Sequence, residues 1–131
     1  MVYEEAVVLT VSFDEAVTST KEALAEQGFG TLTEIDLPAT LSEKVGKEMG
    51  RYVILGACNP QLASRALDVE PQIGVLLPCN VVVRETDRGV IVEALDPGLM
   101  AQLVGGEGIA PVADEARRRV GDALQRLAAS G

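Results

Sequence analysis

Two apolar, β-branched runs, residues 80–85 and 90–95, are separated only by Thr86-Asp87-Arg88-Gly89. Four residues are far short of the dozen or so that a parallel crossover needs, so the runs pair as a hairpin. The sheet is therefore antiparallel at least there. This feature directs the chain toward an α+β architecture and away from an all-parallel sheet.

The remaining elements are placed around that hairpin. Residues 2–11 read as a strand through Ala6-Val7-Val8-Leu9-Thr10-Val11. Ser12, with Glu15 three places on, is a capping box. Phe13, Val17, Thr20 and Leu24 then fall on one helical stripe, which Gly28 ends. Residues 30–37 alternate as a strand with Thr31, Thr33, Ile35 and Leu37 on one face and Glu34 and Asp36 on the other. Pro38 closes that strand, and Thr40 with Glu43 caps a short helix that stops near Gly46. Beyond a turn at Gly50, residues 51–57 form an apolar strand. Asn59-Pro60 supplies a helix cap and a first helical residue, with Leu62, Ala63, Ala66 and Leu67 on the buried side. Pro71 and Gly74 interrupt the next stretch. After the hairpin, Asp96-Pro97 starts a helical turn through Leu103. Pro111 opens a final helix striped by Val112, Ala116, Val120, Ala123, Leu124 and Leu127.

The expected fold class is α+β, a five-stranded mainly antiparallel sheet with two long helices on one face. The order is β-α-β(4)-α with short helical insertions. No repeat or linker divides the chain, so a single domain over residues 1–131 is expected. Aromatic residues are only 3% of the chain, so Val, Leu, Ile and Ala must build the core. The second sheet face is left solvated, or covered by the short helices or by another subunit.

The formal net charge is −9, from 11 basic and 20 acidic residues. Such a surface repels phosphate, which argues against nucleic acid and anionic membranes as partners. Metal cations stay compatible with it. The one basic cluster, Arg117-Arg118-Arg119, lies within a helical pattern and reads as a solvated face supplying local salt bridges. No secretory leader is visible and no apolar run approaches the ~20 residues of a membrane span. A cytoplasmic, reducing location is expected, where two cysteines are free thiols more often than a bridge.

Chemistry is sparse. The chain has no histidine, which removes Ser-His and Cys-His nucleophile pairs. Gly105-Gly106-Glu107-Gly108 lacks the strand that precedes a phosphate-binding loop and reads as a connection. No cofactor is named by any motif. What stands out is a repeated pair, Ala57-Cys58-Asn59 and Pro78-Cys79-Asn80, which holds both cysteines. Cys58 precedes a helix N-terminus, where the dipole favours a thiolate. Cys79 opens a strand. Neighbouring strand ends would bring the thiols together, although two thiols fall short of the four ligands zinc usually takes. Buried Cys also serves simply as a small apolar residue. Asn59 is first a helix cap, in which case Asp would replace it without loss. Asn80 can bond backbone at a strand entrance, and the two amides could also orient a polar ligand. Glu34 and Asp36, two carboxylates on one strand face, suit acid–base work, a hard cation or plain solvation.

Gly28-Phe29-Gly30, Glu34-Ile35-Asp36, the run Ile54-Leu55-Gly56-Ala57-Cys58-Asn59-Pro60 and the run Leu76-Leu77-Pro78-Cys79-Asn80-Val81-Val82-Val83 together resemble the bacterial family known as domain of unknown function 302. The resemblance runs from about residue 8 to residue 127. It implies a small homodimeric α+β domain, similar in fold to the TATA-box-binding protein, and implies no activity. The negative charge argues against carrying DNA binding over with the fold. Three functions follow as expectations: a homodimeric domain binding a small molecule or metal near Cys58 and Cys79, a thiol redox enzyme using one of them, or a structural interaction module.

Overall fold

A computed structural model describes residues 1–131 apart from Glu5, Gly106 and Gly131. Among the described residues the elements run β1 (Val7–Leu9), α1 (Phe13–Glu26), β2 (Gly30–Asp36), α2 (Leu37–Val45), β3 (Tyr52–Cys58) and α3 (Pro60–Val69). A 3-10 turn (Pro71–Leu76), β4 (Cys79–Thr86), β5 (Gly89–Ala94), α4 (Gly98–Val104) and α5 (Ile109–Ser130) complete them. The strands form one sheet in the order β1-β5-β4-β3-β2, antiparallel at every pairing. The α+β class and its element order are as the sequence implies.

Local chemistry sets the boundaries. Ser12 accepts the Glu15 N–H at 3.2 Å and starts α1. Thr20 is buried in the α1 stripe because its hydroxyl donates to the Ala16 carbonyl at 2.7 Å. The cap of α2 is Asp36, which accepts the Ala39 N–H at 3.1 Å, not Thr40. Pro38 sits in the first turn of that helix, where its missing N–H has no partner to lose, so it opens α2 and does not close a strand. The first strand is shorter than residues 2–11. Val2 makes only an isolated bridge to Leu95, and Glu5 lies outside the described residues. Tyr3 and Val11 pack on the core, and the Tyr3 N–H still donates to the Ala94 carbonyl at 2.8 Å. A bulge between Thr31 and Thr33 breaks the alternation of β2: Thr31 pairs with Ala57, and Thr33 pairs with Gly56. Thr31 therefore leaves the face that holds Thr33 and Ile35.

The main core lies between the sheet and the two long helices. Leu9, Leu55, Val81, Val83 and Val92 meet the apolar sides of α1 and the C-terminal half of α5. A second core collects Leu62, Ile73, Met100, Ile109 and Val112 under α3, the 3-10 turn and α4. The α5 helix serves both. Its 22 residues span ~33 Å, so its N-terminal half reaches past the main core and roofs the second.

The opposite sheet face carries Ile35, Ile54 and Val82 in one cross-strand row, with Ile91 and Val8 beside it. Among the described residues these side chains belong to neither core, and Ile35 and Val8 stay 43% and 41% exposed. Arg84 and Glu93 lie among them as a 2.7 Å pair. On this face Gly56 leaves no room for a side chain: an added Cβ would strike Thr33 Oγ1 and come within 2.9 Å of Pro78 Cγ. Gly56→Ala should therefore lower stability by about 1–3 kcal/mol through overpacking. Urea unfolding measures this, and an unchanged midpoint would contradict the close approach.

Candidate functional site

The site grows from two strand ends. The last residue of β3 is Cys58, and the first of β4 is Cys79. The register pairs Cys79 with Ala57, which sets Cys58 one residue away across the same ladder. Both cysteines line one cavity, closed over by Leu62 of α3, Met100 of α4 and Val112 and Ala116 of α5. Its volume is about 20 Å³, room for roughly one water-sized body. Both cysteines are free. Cys58 is half-buried, while Cys79 is buried. Burial, and then the neighbouring Cys58, push the Cys79 thiol up to about 11. At neutral pH Cys79 is therefore a protonated thiol and a poor nucleophile.

The two Cys-Asn pairs look alike in sequence but diverge in space. Asn59 is buried, and its amide is used at both ends. Oδ1 accepts the Leu62 N–H at 3.2 Å, and Nδ2 donates to the Gln27 carbonyl at 3.3 Å. The turn at Gln27 comes this close because Gly28 holds φ +85° and has no side chain. A Cβ there would meet Asn59 Nδ2 at 2.9 Å. Asn80 instead follows Cys79 within β4, so strand alternation turns it to the opposite sheet face, where it is exposed. Both cysteines line the one cavity, while the two amides part.

Glu34 and Asp36 share the helix-facing side of β2, paired with Leu55 and Val53. Glu34 binds Lys21 of α1 at 2.9 Å, and Asp36 is consumed as the α2 cap. Among the described residues no three His, Cys, Asp or Glu side chains gather as a metal site, so these carboxylates do not complete one with the thiols. Of the connection Gly105-Gly106-Glu107-Gly108, Gly106 lies outside the described residues. Arg117, Arg118 and Arg119 all enter ion pairs, with Asp96 and Glu4, with Asp122, and with Glu115. Arg119 also donates to the Gln27 carbonyl at 3.2 Å. Among the described residues no helix is long and apolar enough to cross a membrane.

Met100 is the lining residue that sequence reasoning missed. It lies on a seven-residue helix, and nothing in its spacing from Cys58 or Cys79 ties it to them. Only the folding of α4 against α5 brings it to the cavity.

A family model described as domain of unknown function DUF302 matches residues 5–127. The chain belongs to this family. The crystal structure of an uncharacterized conserved DUF302 protein from Bacillus stearothermophilus is similar to it, with a TM-score of 0.86 and 26% identity. The match covers 95% of this chain and 97% of that one. No curated protein matches the chain. For a DUF302 chain, function must then be argued from the site.

Two outcomes test the site geometry. Because Asn59 both accepts and donates, Asn59→Asp keeps the cap but sets a carboxylate oxygen against the Gln27 carbonyl. It should cost about 1–3 kcal/mol, as an unmade buried bond does. Asn59→Ala loses both bonds and should cost at least as much. Urea melts decide, and an Asp variant as stable as the parent would show that the Gln27 bond carries nothing.

The second outcome concerns pH. Below pH 9 both the folded and the unfolded Cys79 thiol are protonated, and the stabilisation is fully present. Between pH 9 and about 11 the unfolded chain gives up this proton while the folded chain keeps it, so stability falls as pH rises. The loss should approach about 2–3 kcal/mol. Cys79→Ala should remove this part of the pH dependence in reduced samples. Identical slopes for parent and variant would contradict the burial argument.

Proposed function

We propose that this DUF302 chain is a homodimeric binding module whose ligand occupies the recess between α3 and the adjoining ends of β3 and β4. The observation that carries the reading is the convergence of both cysteines on one small apolar cavity. Cys58 is the more accessible of the two thiols, being half-buried where Cys79 is buried. Such a recess binds by excluding water and matching shape, with a few polar atoms to give specificity. No group positioned for acid–base catalysis lines it. Mass spectrometry under native conditions should find a ligand on protein purified without stripping. Loaded protein should then alkylate Cys58 more slowly than stripped protein, and equal rates would sink the pocket.

The partner of the open sheet face is a second copy. The row Ile35, Ile54 and Val82, with Ile91 and Val8, is apolar and surrounds the Arg84–Glu93 pair, a surface that a two-fold interface would bury against its own copy. Sedimentation at micromolar concentration should give about twice the mass of one chain. Ile54→Lys should sediment as a folded monomer by circular dichroism. A parent chain that sediments as a monomer would overturn this assembly.

Thiol redox chemistry is a second reading, favoured by a half-exposed Cys58 beside another thiol. Reactivity would then lie with Cys58, since burial keeps Cys79 protonated. A Cys58–Cys79 disulfide formed by a small-molecule disulfide, with two equivalents of its thiol released, would support it. With neither ligand nor thiol turnover, the dimer face leaves a structural interaction module.

A further inference from the structure

We infer that the cavity is a site for a single soft monovalent cation, Cu(I) in a cell, held by Cys58 Sγ, Cys79 Sγ and Met100 Sδ. The inference rests on the pocket reading above and names its ligand class. Three sulfur-bearing side chains from three elements line the one space: Cys58 from the end of β3, Cys79 from the start of β4 and Met100 from α4. The remaining walls are largely apolar, with no carboxylate among them.

Donor chemistry decides which ion suits such a set. Thiolate and thioether sulfur are soft ligands that select Cu(I), whereas calcium and magnesium demand oxygen. Zinc closes its structural sites with four ligands, usually thiolate or imidazole, and this chain has no histidine. A filled-shell monovalent ion is satisfied by two or three sulfurs, so it needs no water in a further position. The volume agrees. About 20 Å³ admits one atom-sized body.

Charge and access point the same way. A net charge of −9 draws cations toward the chain. Cys58 is half-buried, while Cys79 and Met100 are 8% and 5% exposed, so an ion would be received at Cys58 and passed inward. Each thiol that coordinates releases its proton to solvent, and no electron moves. One thiolate and Met100 around Cu(I) leave a neutral centre. A second thiolate leaves a single negative charge.

The experiment is an anaerobic titration of the full chain with Cu(I), in competition with a chromogenic Cu(I) chelator, with Ag(I) as a redox-inert control. One equivalent of either ion per chain should be retained, with a thiolate-to-metal absorption band and an all-sulfur first shell by X-ray absorption. Zn(II) should not be retained under the same competition. Cys58→Ser and Cys79→Ser should abolish retention. Met100→Leu, close in volume, should weaken it about 10- to 100-fold, at least the cost of disturbing a site's supporting shell. No retention by the parent chain, retention unchanged in the double Cys variant, or nitrogen and oxygen in the first shell would overturn the site. An unaltered affinity in Met100→Leu would overturn the three-sulfur set. Should the metal fail while a co-purifying molecule still shields Cys58 from alkylation, the ion assignment falls and the pocket stands. If neither binds, both fall.

Discussion

The Asn59 side chain joins segments that lie far apart in the chain. One end of its amide starts α3, and the other takes hold of the Gln27 carbonyl at the close of α1. The same carbonyl receives Arg119 from α5, so the ends of two helices and the middle of a third meet at one oxygen. A buried amide in this position is costly unless both halves are satisfied, and here they are. The direction in which α3 leaves the sheet follows from this joint. So does the roof over the two thiols, because Leu62 projects from the first turn of α3. Gly28 is the condition for all of it, since any side chain there would displace the amide.

Electrostatics extend the joint. Arg119 pairs with Glu115 one turn earlier on α5, and Glu115 pairs with Arg65 on α3. The Arg65 hydrogen bond, with Arg119 nearby, holds the Glu115 carboxyl below its ordinary range. These groups are partly exposed, so they fix the spacing of α3 and α5 more than they add to stability. Arg117 works elsewhere, lying 4.8 Å over the Tyr3 ring and binding Asp96. The basic cluster is thus spent within the fold, which leaves the −9 charge to dominate the exterior.

The two sheet faces divide the labour. One is sealed by α1 and α5 and makes a core from aliphatic side chains, as a chain poor in aromatics must. The other presents Ile54, Val82 and Ile91 around a single ion pair. The thiol cavity lies on the helix side, between the two cores, lined by Phe29 and Ala57 of one and Leu62, Met100 and Val112 of the other. It forms where α5 outruns the main core and collects α3 and α4 beneath its N-terminal half.

Much of this was legible in the residues. The hairpin connection Thr86-Asp87-Arg88-Gly89, the Ser12 and Asn59 caps and the stripes of α1 and α5 are local signals, and local hydrogen bonds and periodicity decide them. The placement of Cys58 and Cys79 at adjoining strand ends was also legible in their matched contexts. Other features were decided only by tertiary structure. Asp36 outcompeted Thr40 as the α2 cap because Pro38 prefers a helix's first turn. The bulge at Leu32 turned Thr31 to the other face, which alternation alone could not foresee. Asn80 parted from Asn59 because one continues a strand while the other ends one. Met100 reached the thiols because a distant helix packed against α5, and sequence spacing does not encode that kind of contact. The chain by itself determined its elements and its aliphatic core. Tertiary packing decided which side chains share a cavity, because those contacts join residues that no local period connects.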